Sequence, residues 1–281
     1  MTAGPLTGVP AADALDSARV ALRASGVGEP DLDAELLVAH ALGTGRAGLR
    51  MDPGRPLDPA ATRWLRDAVR RRTVDREPMA YLLGTKPFRR IELAVDPRVL
   101  IPRPETEHLV EAALGLPDGA AVHDACTGSG AVALALKDER PDLRVSASDV
   151  SADAVAVARA NAERLGLDVQ IAAGALLDAA PAALDAIVAN PPYVRDADRA
   201  ALAPDIARHE PALALFGGED GLDVVRALIA AAAGTRVSFV ALEIGQGQAP
   251  EVAALLAAAG FAETAVTADL AGIDRIVTGR R

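Results

Sequence analysis

The chain has 281 residues and a formal net charge of −10, which leaves room for one large or two ordinary domains. Its hydrophobic fraction is 51%, but aromatics make up only 2%, so Ala, Val and Leu must build the core. The first 80 residues hold 11 Lys+Arg and 11 Asp+Glu against 18 and 28 in the other 201; so acidic a remainder is a poor candidate for direct nucleic-acid binding, which runs on basic phosphate contacts. In chain order, residues 10–77 read as helices. Ala14, Ala18, Ala21 and Leu22 share one helical face, and Leu32, Leu36, Leu37 and Ala41 share another. Asp31 after Pro30 is a plausible helix start, and the run 43–45 a stop. A third helix is expected over 57–74. It carries Arg63, Arg66, Arg70, Arg71, Arg72 and, just beyond, Arg76, read as a solvated face or a docking surface for an anionic partner.

Pro78 and Gly84 mark a change of rhythm. Phe88 to Val95 alternates as a short strand or hairpin, and the run 101–104 breaks any regular element before a helix over 105–114. Strand–helix alternation then begins. Strands are expected over 121–124, 143–148, 169–172, 186–189 and 237–242, with two late ones near 263–267 and 275–278. Helices over 131–139, 152–165, 221–233 and 250–259 come between them. Alternation of this length implies an α/β fold with a doubly wound, mostly parallel, seven-stranded sheet. The expected organisation is a helical domain over 1–80, a hairpin linker over 81–100 and the α/β domain over 101–281.

Two segments carry chemistry. The run 124–130, Asp-Ala-Cys-Thr-Gly-Ser-Gly, follows the first sheet strand and opens a helix, where backbone N–H groups can approach a ligand closely. Asp149 ends the next strand, 19 residues after Gly130, where an acid usually accepts hydrogen bonds from ribose hydroxyls. The position for a third fingerprint glycine holds Ala133, so the loop alone still allows a dinucleotide. Asn190-Pro191-Pro192-Tyr193 follows the apolar run 186–189. It therefore lies at the carboxyl end of a strand, where open α/β sheets place their ligands. Asn190 offers one acceptor and one amide donor. Proline has no N–H, so the Asn190 and Pro191 carbonyls can face a pocket unquenched, and Tyr193 adds a flat, partly polar face. Two acceptors and a plate suit a planar NH2 group, and this tips the choice of cofactor to S-adenosylmethionine.

Cys126 is the sole cysteine, and His40, His108, His123 and His209 show no ligand spacing, so neither a disulfide nor a metal is expected. The first 20 residues carry Pro, Asp and Gly rather than an apolar signal segment, and the longest apolar stretch, 227–233, is too short to span a bilayer. A cytoplasmic, membrane-free monomer is expected.

From about residue 77 onward the chain resembles the HemK-type glutamine N5-methyltransferases that modify class-I peptide chain release factors. The resemblance rests on the runs 77–84 and 99–107 (Val-Leu-Ile-Pro-Arg-Pro-Glu-Thr-Glu), the glycine loop, residues 190–193, Glu210-Pro211, 218–222 and 271–275, all in family order. It implies a class I S-adenosylmethionine-dependent methyltransferase domain and a release factor as protein partner. The methyl acceptor would be the side-chain amide of the glutamine in the partner's glycine-glycine-glutamine loop. It also implies that Asn190, Pro191 and Tyr193 perform transfer. Cys126, Thr127, Gly128, Ser129, Gly130, Asp149, Leu176 and Asn190 would hold the cofactor. Asn190, Pro191, Pro192, Tyr193 and Arg103 would meet the substrate. Arg103, Glu105 and Glu107 can alternatively be read as an ion-paired hinge. The chain departs from the family pattern at Cys126, where the loop usually has glycine. It departs again at the run 174–176, which lacks the usual acid, and at Arg90. These departures leave open a paralogue acting on another protein or a small molecule. An adenine-N6 DNA methyltransferase is the remaining enzymatic alternative, and a cofactor-binding module without turnover the non-enzymatic one.

Overall fold

The computed structural model describes residues 8–281, and the chain divides into two compact units. The first contains residues up to Gly84 together with Pro204–His209. Its helices are α1 (Ala11–Ser25), α2 (Pro30–Ala41), α3 (Arg46–Met51), α4 (Pro59–Arg70) and α5 (Met79–Leu83). A minimal pair of strands, β1 (Val9–Pro10) and β2 (Pro56–Leu57), also belongs to it. Local chemistry sets these boundaries. Proline opens both α2 and α4, where its missing N–H would be unpaired in any case. Asp58 caps α4 by accepting the Ala61 N–H at 2.7 Å.

Two expectations need correction here. The buried face of α2 is Asp33, Ala34, Leu37 and Val38, so only Leu37 of the expected stripe lies on it. The arginine run is not one solvated face either. Arg63, Arg66 and Arg70 are exposed, but α4 ends at Arg70 and passes into a π-turn over Arg71–Asp75, which rotates Arg72 inward. Arg72 is buried; its Nε meets Asp33 at 2.8 Å and its Nη1 meets Asp205 at 2.6 Å. A buried acid between two apolar residues on α2 is explained by this cation, since neither charge is tolerable in the interior alone.

The second unit holds Thr85–Ala203 and Glu210–Arg281. It begins with a hairpin of β3 (Thr85–Phe88) and β4 (Ile91–Ala94), followed by α6 (Glu107–Leu114). The sheet strands are β5 (Ala121–Ala125), β6 (Arg144–Asp149), β7 (Gln170–Ala173), β8 (Ala186–Ala189), β9 (Phe239–Glu243), β10 (Glu263–Ala268) and β11 (Asp274–Arg280). Helices α7 (Ala131–Glu139), α8 (Ala152–Leu165), α10 (Asp223–Ala233) and α11 (Ala249–Ala258) connect them, and α9 (Pro204–His209) is the segment that joins the first unit. The strand order is β10-β11-β9-β8-β5-β6-β7. Pairs among β5 to β9 are parallel, and β11 runs antiparallel to both its neighbours. The expected seven-stranded, mostly parallel sheet is therefore present.

Every residue of β5, β8 and β9 is buried, as parallel strands covered on both faces must be. The alanine-rich composition permits this. Small buried side chains at Ala125, Ala186, Ala189 and Ala241 let the covering helices approach, while Leu228, Leu242, Val252 and Phe261 fill the remaining volume. The hairpin is fixed to the sheet unit by Asn161 of α8, which is wholly buried. Its Oδ1 accepts the Ala94 N–H at 2.7 Å, and its Nδ2 donates to the carbonyls of Ala94 at 2.9 Å and Ser129 at 3.0 Å. One side chain thus ties the hairpin to the glycine loop. Asn161→Leu, which strands one buried donor and two acceptors, should destabilise this unit by about 3 kcal/mol; chemical denaturation followed by circular dichroism checks this.

Candidate active site

The carboxyl edge of an apolar sheet carries four polar side chains, one per strand. Asp124 lies near the end of β5, Asp149 ends β6, Asn190 follows β8 and Glu243 ends β9. Thr127, Gly128, Asp149, Leu176, Asn190 and Pro192 are among the residues lining a cavity of ≈ 280 Å³ beside this edge, with Val99, Leu100 and Pro102 on another wall.

Asp124 holds the glycine loop. Its Oδ2 accepts both the Thr127 hydroxyl at 2.6 Å and the Ala133 N–H at 3.1 Å. It is 1% exposed, and burial pushes its carboxyl up to about 7 against the pull of those two donors. The loop therefore leaves β5, turns and re-enters α7 under the control of one acceptor atom. Gly130 sits at φ +85°, where a Cβ would come within 2.9 Å of Leu134 Cδ1, so glycine is required for conformation and for space. Cys126 adopts φ +60°, a left-handed conformation that a side chain makes costly. Glycine would meet the same angle without that cost, so a residue with a Cβ there is strained. Burial pushes its thiol up to about 12, helped by the charges of Asp149 and Asp124. It is a protonated packing group, not a nucleophile.

Asp149 accepts the Gly128 N–H at 2.9 Å through Oδ2 and the Ser151 N–H at 2.9 Å through Oδ1. Desolvation raises its carboxyl above the ordinary range, opposed by those two N–H bonds. Each oxygen keeps a lone pair for a ligand hydroxyl. Leu176, at φ +50°, presents its side chain to the cavity and its carbonyl to Ser148 Oγ at 3.0 Å. His123 lies beneath, with Nδ1 2.9 Å from Ser146 Oγ and Nε2 2.9 Å from Ser148 Oγ. Burial drops its imidazole to about 4, so it is neutral scaffolding rather than a base. An acid with spare acceptor capacity, apolar flanks at Val150, Val132 and Leu176, and a glycine-cradled helix N-terminus fit a nucleoside cofactor.

At Asn190, Nδ2 donates to Thr106 Oγ1 at 3.1 Å, which leaves Oδ1 available at the cavity wall. Pro191 and Pro192 are buried, and only Pro192 joins Asn190 in lining the cavity. Tyr193, expected to lie flat against a substrate group, is fixed through its phenol end. Its hydroxyl donates to Glu243 Oε1 at 3.2 Å, and burial beside that carboxylate raises its phenol well above the ordinary value. The backbone here is gripped from behind. Gln248 Nε2 donates to the Tyr193 carbonyl at 3.2 Å, and a Cβ on Gly221 (φ +80°) would come within 2.2 Å of that same oxygen. The run 218–222 is thus a close-packed support for residues 190–193.

Arg103 does not line the cavity. Its Nη2 pairs with Glu210 Oε1 at 2.5 Å, and the neighbours of this pair, Pro102 and Pro211, both do line it. Glu107 accepts the Arg89 N–H at 3.2 Å, and the Arg89 guanidinium also pairs with Glu139 and Glu111. Thr106 and Glu243 were missed from sequence. The signal for Glu243 was present, an acid closing an apolar strand in the same way that Asp149 does. Among the described residues no group of acids, His and Cys could hold a metal ion, and no helix is long and apolar enough to cross a membrane.

This sheet order and strand-edge site are those of class I methyltransferases. The 16S rRNA methyltransferase RsmC of T. thermophilus, solved with AdoMet and guanosine, superposes with a TM-score of 0.51 at 20% identity, covering 70% of this chain and 49% of that one; this likeness shows the fold. Residues 13–84 match the PrmC N-terminal domain and residues 106–219 the methyltransferase small domain. The release factor glutamine methyltransferase of Deinococcus radiodurans is 41% identical over 96% of this chain and 98% of its own length. That of Burkholderia pseudomallei is 44% identical over 89% and 91%. The chain belongs to the release factor glutamine methyltransferase family.

Two outcomes are expected from the loop. Cys126 should resist alkylation by iodoacetamide at pH 8 in the native protein and react readily once unfolded, as read by mass spectrometry. Asp124 binds its proton more tightly folded than unfolded. Its stabilising contribution is complete below the unfolded value of 3.8 and is lost as pH rises through about 7. Asp124→Asn keeps an acceptor for both donors, so its thermal stability should fall less than wild type between pH 4 and 8, a difference read by parallel melting curves.

Proposed function

We propose that this enzyme transfers a methyl group from S-adenosylmethionine to the N5 amide nitrogen of the glutamine in the glycine-glycine-glutamine loop of a class-I release factor. The observation that carries the reading is the Asn190 carboxamide, held by its Nδ2 on Thr106 with Oδ1 left as an acceptor at the cavity. Family membership supplies the substrate, and the relatives do not favour the small-molecule or adenine alternatives. The cofactor is supported by the fit of Asp149 and the glycine loop, and by the AdoMet in the RsmC structure.

When bound, S-adenosylmethionine supplies an electrophilic methyl group on a sulfonium. The chain's own contribution is alignment for in-line displacement. A glutamine amide is a poor nucleophile because its nitrogen lone pair is delocalised into the carbonyl. Asn190 Oδ1 and the Pro191 carbonyl accept its two N–H bonds, fix the nitrogen and stabilise the positive charge that develops there. No strong base is required before attack, since the proton can leave afterwards. His123 is neutral and already tied to two serines, in keeping with this.

The helical unit is assigned to recognition of the folded protein substrate, and the sheet unit to transfer. Arg63 and Arg66 on the exposed side of α4 are the cations available for that contact. Charge reversal at both should raise KM for intact release factor while leaving turnover of an excised loop peptide unchanged. Asn190→Ala should lower kcat by roughly 100-fold with little change in cofactor affinity, because the lost interaction strengthens as the nitrogen rehybridises. Calorimetry and single-turnover kinetics separate the two quantities. Fragment-ion mapping of the reacted factor should place one methyl, about 14 Da, on the loop glutamine. A methyl anywhere else, or an unreacted factor, defeats the reading.

A further inference from the structure

S-adenosylmethionine is a linear molecule, with a sulfonium at one end of its nucleoside, a ribose in the middle and an adenine beyond. Strands β8, β5, β6 and β7 lie side by side in that order, and residues at or just after the carboxyl ends of all four line the same cavity. Asn190 marks the transfer end at β8, the glycine loop follows β5, and Asp149, with acceptors for ribose hydroxyls, ends β6. Placing the sulfonium and the ribose on this edge sets the direction of the base. Continued the same way, the molecule would bring its adenine to β7, against the run 174–176 that follows that strand.

An adenine amine has two N–H bonds to give and needs acceptors for them. The cavity residues on and beside β7 are Val150, Ser151, Ala154, Gly174, Ala175 and Leu176, and none carries a carboxylate or a carboxamide. The one hydroxyl among them, Ser151 Oγ, accepts the Ala154 N–H at 3.2 Å as the cap of α8. The carbonyls of Ala175 and Leu176 are already engaged, by the Asp178 N–H at 2.9 Å and the Ser148 hydroxyl at 3.0 Å. Arg98, the only cation among the described lining residues, can only donate, and Asp96 holds it by two bonds of 2.9 and 2.6 Å. Val150 is 59% exposed and Ala175 is exposed as well, so this end of the cavity opens to water.

We infer that the cofactor's adenine rests on the apolar rim formed by Val150, Ala175 and Leu176 with its exocyclic amine left to water, so that the enzyme accepts adenosyl cofactors stripped of that amine or substituted on it. This rests on the reading that S-adenosylmethionine is the methyl donor. The physical reason is an asymmetry in recognition. A site that hydrogen-bonds a ligand N–H rejects the analogue lacking it, because the site's own acceptor is then stranded. A rim without such an acceptor strands nothing, and an amine that faces water leaves room for a substituent. Selection of the nucleoside then falls to Asp149 and the ribose, and the base contributes apolar contact.

The test is calorimetry on the full chain with three ligands: S-adenosylhomocysteine, its analogue lacking the exocyclic amine, and its N6-methyl analogue. Binding of S-adenosylhomocysteine comes first, and its failure would remove the cofactor reading and this inference together. Given that binding, the wild-type affinities for all three should agree within about 3-fold. Ala175→Asp puts an acceptor at an exposed point of the rim, so its melting temperature should stay near wild type. It should bind S-adenosylhomocysteine roughly 10-fold more tightly than the analogue without the amine, the worth of about one hydrogen bond. A wild-type loss of about 10-fold or more on removal of the amine, or no binding of the N6-methyl analogue, would overturn the inference while leaving the cofactor reading intact. Equal binding of the first two ligands by Ala175→Asp would overturn it as well, since the base would then lie elsewhere. Should Ala175→Asp fold poorly, the three wild-type affinities decide the question alone.

Discussion

The site depends on one constraint, that polar groups at the end of a fully buried sheet must find partners there or not be present at all. Strands β5, β8 and β9 are closed to water on both faces. Each carboxyl-end polar residue is therefore anchored in a definite direction. Asp124 gathers Thr127 and Ala133 onto a single oxygen. Asp149 is set by two backbone N–H groups, and Asn190 by one hydroxyl. Rigidity at the rim is a consequence of burial underneath it, and pre-organisation of this kind is what a displacement reaction needs.

Most of the sheet was legible because its signals are local. The strand expected over 186–189 ends where β8 ends, and the helix expected over 152–165 coincides with α8, which Ser151 caps and Gly166 terminates. The late strands came out short, β10 by one residue and β11 by three, since β11 runs on to Arg280 through a stretch whose pairing with β9 is tertiary. What sequence periodicity could not reach lay between elements distant in the chain. Arg72 is surrounded by other arginines in sequence and reads as one of them, yet its acids lie 39 and 133 residues away. Arg103 and Glu210, 107 residues apart, belong to two motifs that looked independent and are in fact one contact.

The candidate site divides in the same way. Asn190, Asp149 and Gly128 were identified from their positions at strand and loop ends and Leu176 from the family resemblance, and all four line the cavity. Of the residues assigned to substrate contact, Asn190 and Pro192 line the cavity, Pro191 is buried between them, and Tyr193 and Arg103 are held by Glu243 and Glu210. Thr106 and Glu243 escaped because neither is unusual by type or spacing. Their contacts appear only when the turn before α6 and the end of β9 are brought beside residues 190–193. Cys126 is the opposite case, unusual in sequence for a reason that proves conformational. Its φ of +60° is the backbone angle the loop demands whatever residue occupies it.

The same burial gives the cavity its electrostatic character. Asp124 and Asp149 line it directly, and Glu210 and Glu243 lie on segments beside it. Desolvation raises the carboxyls of all four. A carboxyl raised by desolvation is one whose ionised form wants a positive charge nearby, because the surrounding medium screens it poorly. Arg103 supplies that charge to Glu210. Arg275 contributes it to Glu243 from a distance, while its own Nε is held by Asp269 at 2.9 Å. Asp124 and Asp149 have only hydroxyl and backbone N–H donors. The unmet preference for a cation is therefore concentrated on the wall that would face the cofactor. A ligand carrying positive charge would satisfy it, and a product that had lost that charge would satisfy it less. On this account the buried carboxyls beside the cavity favour a ligand that carries positive charge over one that has lost it.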